Sequence, residues 1–265
     1  MFHTRKLIPP GTIIGRRYRL GNQVSDTSCA EVWRGYDKVL QRSVAIKLIR
    51  SGDVPTGAGR LAITGAVAVY DTLTYEGLAV VVSEWVDAWP LDRILEQGIT
   101  LRVDHVIDIV DGVAKILSDA HELGVPHGSV KSSNILLTDN GAVHLTDFRG
   151  RADGSGSLDA TPDIAGLGVV LAELLSRCRR DLIPPHLTQF TSLQLSTDFS
   201  GLPSLLEFRL SLKPIGATGT DCHTSRWLIA LAALIATIAV ASAASRILYG
   251  GESTPEGSAV TETRG

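Results

Sequence analysis

Apolar and polar positions alternate along the first third of the chain. Tyr18 to Val24, Ala30 to Tyr36, Ser43 to Ile49, Ala66 to Tyr70 and Leu78 to Val86 each read as a half-buried strand. The period then changes. From Leu101 to Leu123, apolar residues fall at Val103, Val106, Ile107, Val110, Val113, Ala114, Leu117 and Ala120, the spacing of an amphipathic helix. Gly124 is placed to end it. A hairpin follows: Asn134 to Thr138 and Ala142 to Thr146 flank Asp139-Asn140-Gly141, a tight-turn sequence. Ile164, Leu167, Val170, Leu171, Leu174 and Leu175 predict a second helix from Asp163 to about Ser176. Strands first and helices afterwards give an α+β class. The prolines between Asp181 and Leu212 leave that stretch without a readable period.

One segment is apolar on every face. Trp227 to Ala244 carries no charge, and with Ser245 to Tyr249 it reaches the length that spans a bilayer. Trp227 and Tyr249 suit the two interfaces, and Arg226 and Arg246 bracket the run. A buried core helix is the alternative, which uniform apolarity and position near the C-terminus disfavour. Lys213, His223 and Arg226 before it, against Arg246 and Arg264 after, place the preceding domain on the cytoplasmic side of a cell membrane in a single pass. The expected organisation is an N-terminal extension (1–17), a domain (18–212) with an upper lobe (18–86) and a lower lobe (90–212), a juxtamembrane linker (213–226), a transmembrane helix (227–249) and a disordered outer tail (250–265).

Composition narrows the choice. The 265 residues are 44% hydrophobic, ample for a packed core. A net charge of −3 gives no basic field for nucleic acid. Cys29, Cys178 and Cys222 are far apart and odd in number, so they predict free thiols in a reducing compartment rather than a disulfide framework or a metal site. The first residues lack the apolar stretch of a signal peptide.

The candidate chemistry comes from four motifs in one order. Val44-Ala45-Ile46-Lys47 lies on a predicted strand. Glu84-Trp85-Val86-Asp87 stands at the end of another. His127-Gly-Ser-Val-Lys-Ser-Ser-Asn134 follows the long helix, and Asp147-Phe148-Arg149 follows the hairpin. In this order they resemble the phosphate-binding Lys strand, the hinge, the catalytic loop and the metal-binding Asp-Phe-Gly of protein kinases, across Tyr18 to about Ser176. The resemblance is to actinobacterial eukaryotic-like Ser/Thr kinases, and among them to the kinase-like domain linked to lipid II flippases, which also precedes a membrane helix. It implies a two-lobed fold, here truncated. It also implies nucleotide contacts from Lys47, Glu84, Val86, Asn134 and Asp147, with ATP as cofactor and Mg held by Asn134 and Asp147.

Several residues that phosphoryl transfer needs are absent. Ser129 stands at the catalytic-base position, where a hydroxyl cannot do the work of a carboxylate. Ser25, Thr27 and Ser28 replace the glycines of the phosphate loop, and Asp26 adds a negative charge there. No Glu lies between Lys47 and Glu76 to pair with Lys47, and Glu76 beside Gly77 reads as a turn. Fifteen residues separate Asp147 from Asp163, short for an activation segment, and no Ala-Pro-Glu follows. Structural roles stay open for Lys47, for His127 and for Asp147 as a turn cap. The resemblance therefore implies a pseudokinase acting as a membrane-tethered scaffold in cell-envelope signalling. An atypical active Ser/Thr kinase and a decaying kinase are the rivals. It further implies two partners, an active sister kinase and a phosphothreonine-reading forkhead-associated domain. Thr218, three residues before Asp221 in the polar linker, is the candidate phosphosite, and a plain spacer is the alternative.

Overall fold

The computed structural model describes residues 8–51, 63–149, 159–188 and 204–212. The elements below belong to one compact unit. The predicted juxtamembrane linker, membrane span and tail lie outside the described residues. So do Thr218 and the stretch between Lys47 and Val69 that lacks a Glu, apart from its two ends. Among the described residues no helix is long and apolar enough to cross a membrane.

The upper lobe is one curled antiparallel sheet in the order β1-β2-β3-β4-β6-β5. Its strands are β1 (Ile13–Ile14), β2 (Tyr18–Asp26), β3 (Ala30–Asp37), β4 (Arg42–Ile49), β5 (Val69–Tyr75) and β6 (Leu78–Glu84). Alternation sorts its two faces. Val44, Ile46 and Leu48 of β4 join Tyr18, Leu20, Trp33, Val80 and Val82 in a core on one side. Ala45 and Lys47 leave on the other side, opposite Ser83 and Val81 of β6. Ile8 and Ile14 are buried in the same core, so this lobe begins before Tyr18, and part of the expected extension is structural. The fourth predicted strand is displaced: β5 starts at Val69, because Gly65, Ala66 and Val67 are engaged elsewhere. Glu76 (φ +49°) and Gly77 (φ +81°) make the expected β5–β6 turn.

The lower lobe opens with β7 (Ala88–Pro90) and the short α1 (Leu91–Glu96). The predicted amphipathic helix is α2 (Val103–Glu122), with Val106, Val110, Val113, Ala114, Leu117 and Ala120 fully buried. Gly124 ends it at φ +72°, its N–H donating to the His121 carbonyl. The hairpin is β8 (Ile135–Thr138) and β9 (Val143–Leu145), and β7 adds to β8 in a three-stranded sheet. The second predicted helix is α3 (Thr161–Ser176), which packs on α2. Residues 181–212, unreadable in sequence, contain α4 (Pro185–Thr188) and α5 (Leu205–Leu212). Leu205, Phe208 and Leu212 bury one face of α5, and Arg209 donates two hydrogen bonds to Asp111 of α2. This is the α+β arrangement expected.

The two lobes are stitched by backbone. Leu145 N–H donates to the Gly65 carbonyl at 2.7 Å, and Val67 N–H donates to the Leu145 carbonyl at 2.9 Å. Gly65 permits this close approach. Its φ is +89°, and a Cβ there would lie 2.6 Å from Ile116 Cδ1.

Candidate active site

The stitch brings the end of β9 beneath β4. Asp147, two residues past Leu145, reaches up to Lys47, with Oδ2 and Nζ 2.5 Å apart. Lys47 lacks a Glu partner in its own sequence neighbourhood, and the carboxylate of Asp147 takes that place. Asp147 holds a left-handed backbone, φ +67°. That conformation costs a residue other than glycine on the order of 1 kcal/mol, so its surroundings must fix it. They do: Thr146 N–H donates to the Asn134 carbonyl, and Arg149 N–H donates to the His127 carbonyl.

The catalytic-loop segment is built around one buried carboxylate. Asp163, in the first turn of α3, is fully buried. It accepts the backbone N–H of His127 and of Gly128, each at 2.7 Å. Its Oδ2 also lies 2.8 Å from His121 Nε2. Burial alone would raise this carboxyl. The bonds from His121, His127 and Gly128 outweigh it and hold the group below the ordinary carboxylate range.

His127 is buried and packs its ring against Phe148, centroids 4.5 Å apart. Its Nδ1 accepts the Ser129 N–H at 3.0 Å, which leaves Nε2–H to donate to the Thr146 carbonyl at 2.8 Å. That tautomer is neutral, and burial pushes the imidazole below its usual range despite nearby carboxylates. The role of His127 is thus to hold the loop against the Asp147 segment. Asn134, nearly fully buried, donates its amide N–H to the Ser129 carbonyl at 2.8 Å. Ser129 itself is half-buried at the base position, with a hydroxyl where a carboxylate is needed.

Arg149 has a placement that sequence reading missed. Gly128 has φ +74°, and a Cβ built on it would lie 3.6 Å from Arg149 Cβ and 3.8 Å from its Cδ. The stem of Arg149 therefore lies over Gly128. The signal was present as an exchange of residue types: a glycine inside the catalytic loop and an arginine after Asp147-Phe148.

The hairpin between β2 and β3 replaces the glycine-rich loop. Thr27 Oγ1 accepts the Ala30 N–H, and Thr27 N–H donates to the Ala30 carbonyl, closing a tight turn over Ser28 and Cys29. Arg50 staples it from outside. Its guanidinium bonds Asp26, the Thr27 carbonyl and Glu31, and its N–H donates to the Cys29 carbonyl. Trp33 Nε1–H donates to Glu31 at 2.9 Å. The negative charge of Asp26 is therefore offset by Arg50, which corrects the expectation that it adds to the phosphate site.

Glu84 pairs with Val44 and so leaves on the core face, opposite Lys47. Its side chain does not line the site. Its N–H donates to the Ala68 carbonyl. Val86 lies in the extended connector after β6, and among the described residues no hydrogen bond involves its N–H.

The candidate metal ligands do not fit a divalent ion in this arrangement. The carboxylate of Asp147 is already held by an ammonium group, and Ser129 supplies no second carboxylate. Among the described residues no group of three His, Cys, Asp or Glu side chains is placed to hold a metal.

Known proteins similar to this chain are named as bacterial protein kinases. The chain is 30% identical over 172 residues to a probable serine/threonine-protein kinase of Streptomyces coelicolor, covering 58% of this chain and 26% of that protein. It is 31% identical over 156 residues to the serine/threonine-protein kinase PknA of Mycobacterium tuberculosis, covering 52% of this chain and 36% of that protein. A probable serine/threonine-protein kinase of Clostridium acetobutylicum is 25% identical over 169 residues, 59% of this chain and 26% of its own length. Its relatives are bacterial serine/threonine protein kinases. The kinase-like chain spans between about a quarter and about a third of the length of these curated relatives. No protein-family model matches it.

Proposed function

We propose that this kinase-like chain is a pseudokinase, a binding and scaffold module of cell-envelope signalling. One observation carries the reading: the catalytic loop is fully held in shape by Asp163, His127 and Asn134, yet the base position holds Ser129. A loop so anchored, without a carboxylate, presents a surface and does not deprotonate a hydroxyl. The stapled hairpin supports the same reading, because side chains occupy the positions where glycines would let backbone approach phosphates. In this reading residues 227–249 tether the domain at the inner face of the membrane. Thr218, phosphorylated by an active sister kinase, recruits a forkhead-associated reader through an Arg-lined pocket.

The test is phosphotransfer by the full chain from labelled ATP to itself and to a generic protein substrate. The expected result is no incorporation. Incorporation that disappears in Lys47→Ala overturns the pseudokinase reading. One observation favours the rival, an atypical active Ser/Thr kinase: Lys47 touches Asp147, and the neighbouring Thr146 N–H donates to the Asn134 carbonyl, so the three positions lie in one region. That result would establish it.

A further inference from the structure

Two turns at the end of the upper sheet opposite the β2–β3 hairpin are joined into one rim. Lys38 N–H donates to the Arg17 carbonyl at 3.1 Å, so the β3–β4 turn starts beside the β1–β2 turn. The Arg17 guanidinium donates two hydrogen bonds to the Asp37 carboxylate, at 2.8 and 2.6 Å. Asp37 is buried, and it also accepts the Val39 and Leu40 N–H groups. The β3–β4 turn is therefore fixed from within, and its tip is presented to solvent. Val39 and Leu40 at that tip are 67% and 54% exposed. Strand register adds a row behind the tip: Ile13 of β1 lies opposite Arg19 of β2, which lies opposite Tyr36 of β3. All three are exposed, on the face away from the core that holds Ile14 and Tyr18.

The charge of this rim is one-sided. Residues 13–19 and 34–42 carry six cations, Arg16, Arg17, Arg19, Arg34, Lys38 and Arg42, against one acid, Asp37. Arg17 is spent on Asp37. Arg34 lies over the Trp85 ring and Arg42 over the Tyr70 ring. Arg16, Arg19 and Lys38 are exposed, and among the described residues no ion pair involves them. Exposed aliphatic side chains beside unpaired cations suit an anionic lipid surface, where apolar tips enter the headgroup boundary and cations meet phosphates. A polyanionic protein segment answers the cations but not the aliphatic tips. A second copy of the chain fits poorly, because an isologous contact through the rim sets its cations against themselves.

We infer that the rim of the β1–β2 and β3–β4 turns docks on an anionic phospholipid surface, with Val39 and Leu40 entering the interface and Arg16, Arg19 and Lys38 on lipid phosphates. This site is separate from that of Lys47 and Asp147, and it stands whether or not the chain transfers phosphate. It also stands apart from the span proposed for residues 227–249. A span fixes the chain in any bilayer, whereas the rim distinguishes bilayers by charge and sets how the domain lies against them.

The test is amide exchange of the full chain in lipid nanodiscs, of phosphatidylcholine alone or with about 30% phosphatidylglycerol. Phosphatidylglycerol is expected to slow exchange at Asp37 to Gln41 by about tenfold, and about 0.5 M salt to reverse the effect. The triple variant Arg16→Gln, Arg19→Gln, Lys38→Gln is expected to lose this protection. Val39→Ser with Leu40→Ser is expected to cut it by about 3-fold or more. Lys115→Gln, which removes a cation from α2, is expected to change nothing. Unchanged exchange in β4 shows that the variants remain folded. Equal exchange at the rim in both discs overturns the inference, as does protection that survives the triple variant. Protection by polyglutamate in phosphatidylcholine discs, without a response to phosphatidylglycerol, assigns the rim to an acidic protein. Protection that grows with the number of copies per disc assigns it to a second chain. Each of these also overturns the lipid reading. A chain that does not stay with phosphatidylcholine discs overturns the span alone, and the same comparison is then made by adding the chain to finished discs.

Discussion

The catalytic-loop segment and the β2–β3 hairpin frame the same site, and they have diverged in opposite senses. Around the lower loop the supports are complete. A buried carboxylate gathers two backbone N–H groups and a histidine, and a second histidine accepts the Ser129 N–H and donates to the Thr146 carbonyl. The reacting position, by contrast, has lost its carboxylate. In the upper hairpin the backbone path is that of two paired strands, but the supports are new: Thr27 closes the turn, and Arg50 clamps it from outside. The difference teaches that shape and chemistry are held by separate residues. The lower loop keeps its shape without its base, and the upper one acquires a rigid shape in place of a mobile glycine run.

That comparison breaks most decisively at Asp163. Asp163→Ala removes a buried anion and strands His121 and the N–H groups of His127 and Gly128. The cost should be about 3–5 kcal/mol, read from the urea midpoint of the full chain. A cost below about 1 kcal/mol would mean that the loop is held by something else. The same bonds set a pH dependence. The folded carboxyl lies below its ordinary value of 3.8, so its contribution is present above the unfolded value and is lost as pH falls through the folded one. Wild type should therefore lose stability below about pH 4. Asp163→Asn should flatten that limb of the stability curve.

Arg50→Ala sharpens the other side. Glu31, which is buried, Asp26 and the Thr27 carbonyl lose the guanidinium. About 2 kcal/mol of stability should go with it. Amide exchange at Thr27 to Ala30 should quicken, while the Ser129 to Asn134 loop is unaffected. Equal quickening in both regions would refute their independence.

Ser129→Asp is expected to have the smallest effect. The position is half-buried, and its backbone N–H bond to His127 does not depend on the side chain. A stability change within about 0.5 kcal/mol is expected. Phosphotransfer should remain absent, because the hairpin and the Lys47–Asp147 pair are unchanged.

Periodicity made the scaffold legible and left its connections hidden. Strands β2, β3, β4 and β6, helices α2 and α3 and the β8–β9 hairpin each declare themselves within a few residues, because one face of each is buried against the core. Helix α5 did not, since its partners on α2 lie about a hundred residues away and its short apolar face follows a proline-rich stretch. The fourth strand shifted because Gly65 to Val67 serve β9, a non-local pairing that no local pattern encodes. Of the site, the sequence made legible the types of residue in order: Lys47, Ser129, Asn134 and Asp147. The pairing of Lys47 with Asp147, the offset of Asp26 by Arg50 and the placing of Arg149 over Gly128 depend on contacts between segments 20 to 100 residues apart.

The backbone stitch at Leu145 has a kinetic consequence. Its two hydrogen bonds join the lobes through main chain rather than through side chains that can slide. Separating the lobes fully would break both and leave Gly65, with its restrictive neighbours, without its partner. Such an event belongs with local unfolding rather than with a free hinge swing. Whatever enters the site therefore comes and goes by local fluctuation of the segments around it rather than by gaping of the whole domain.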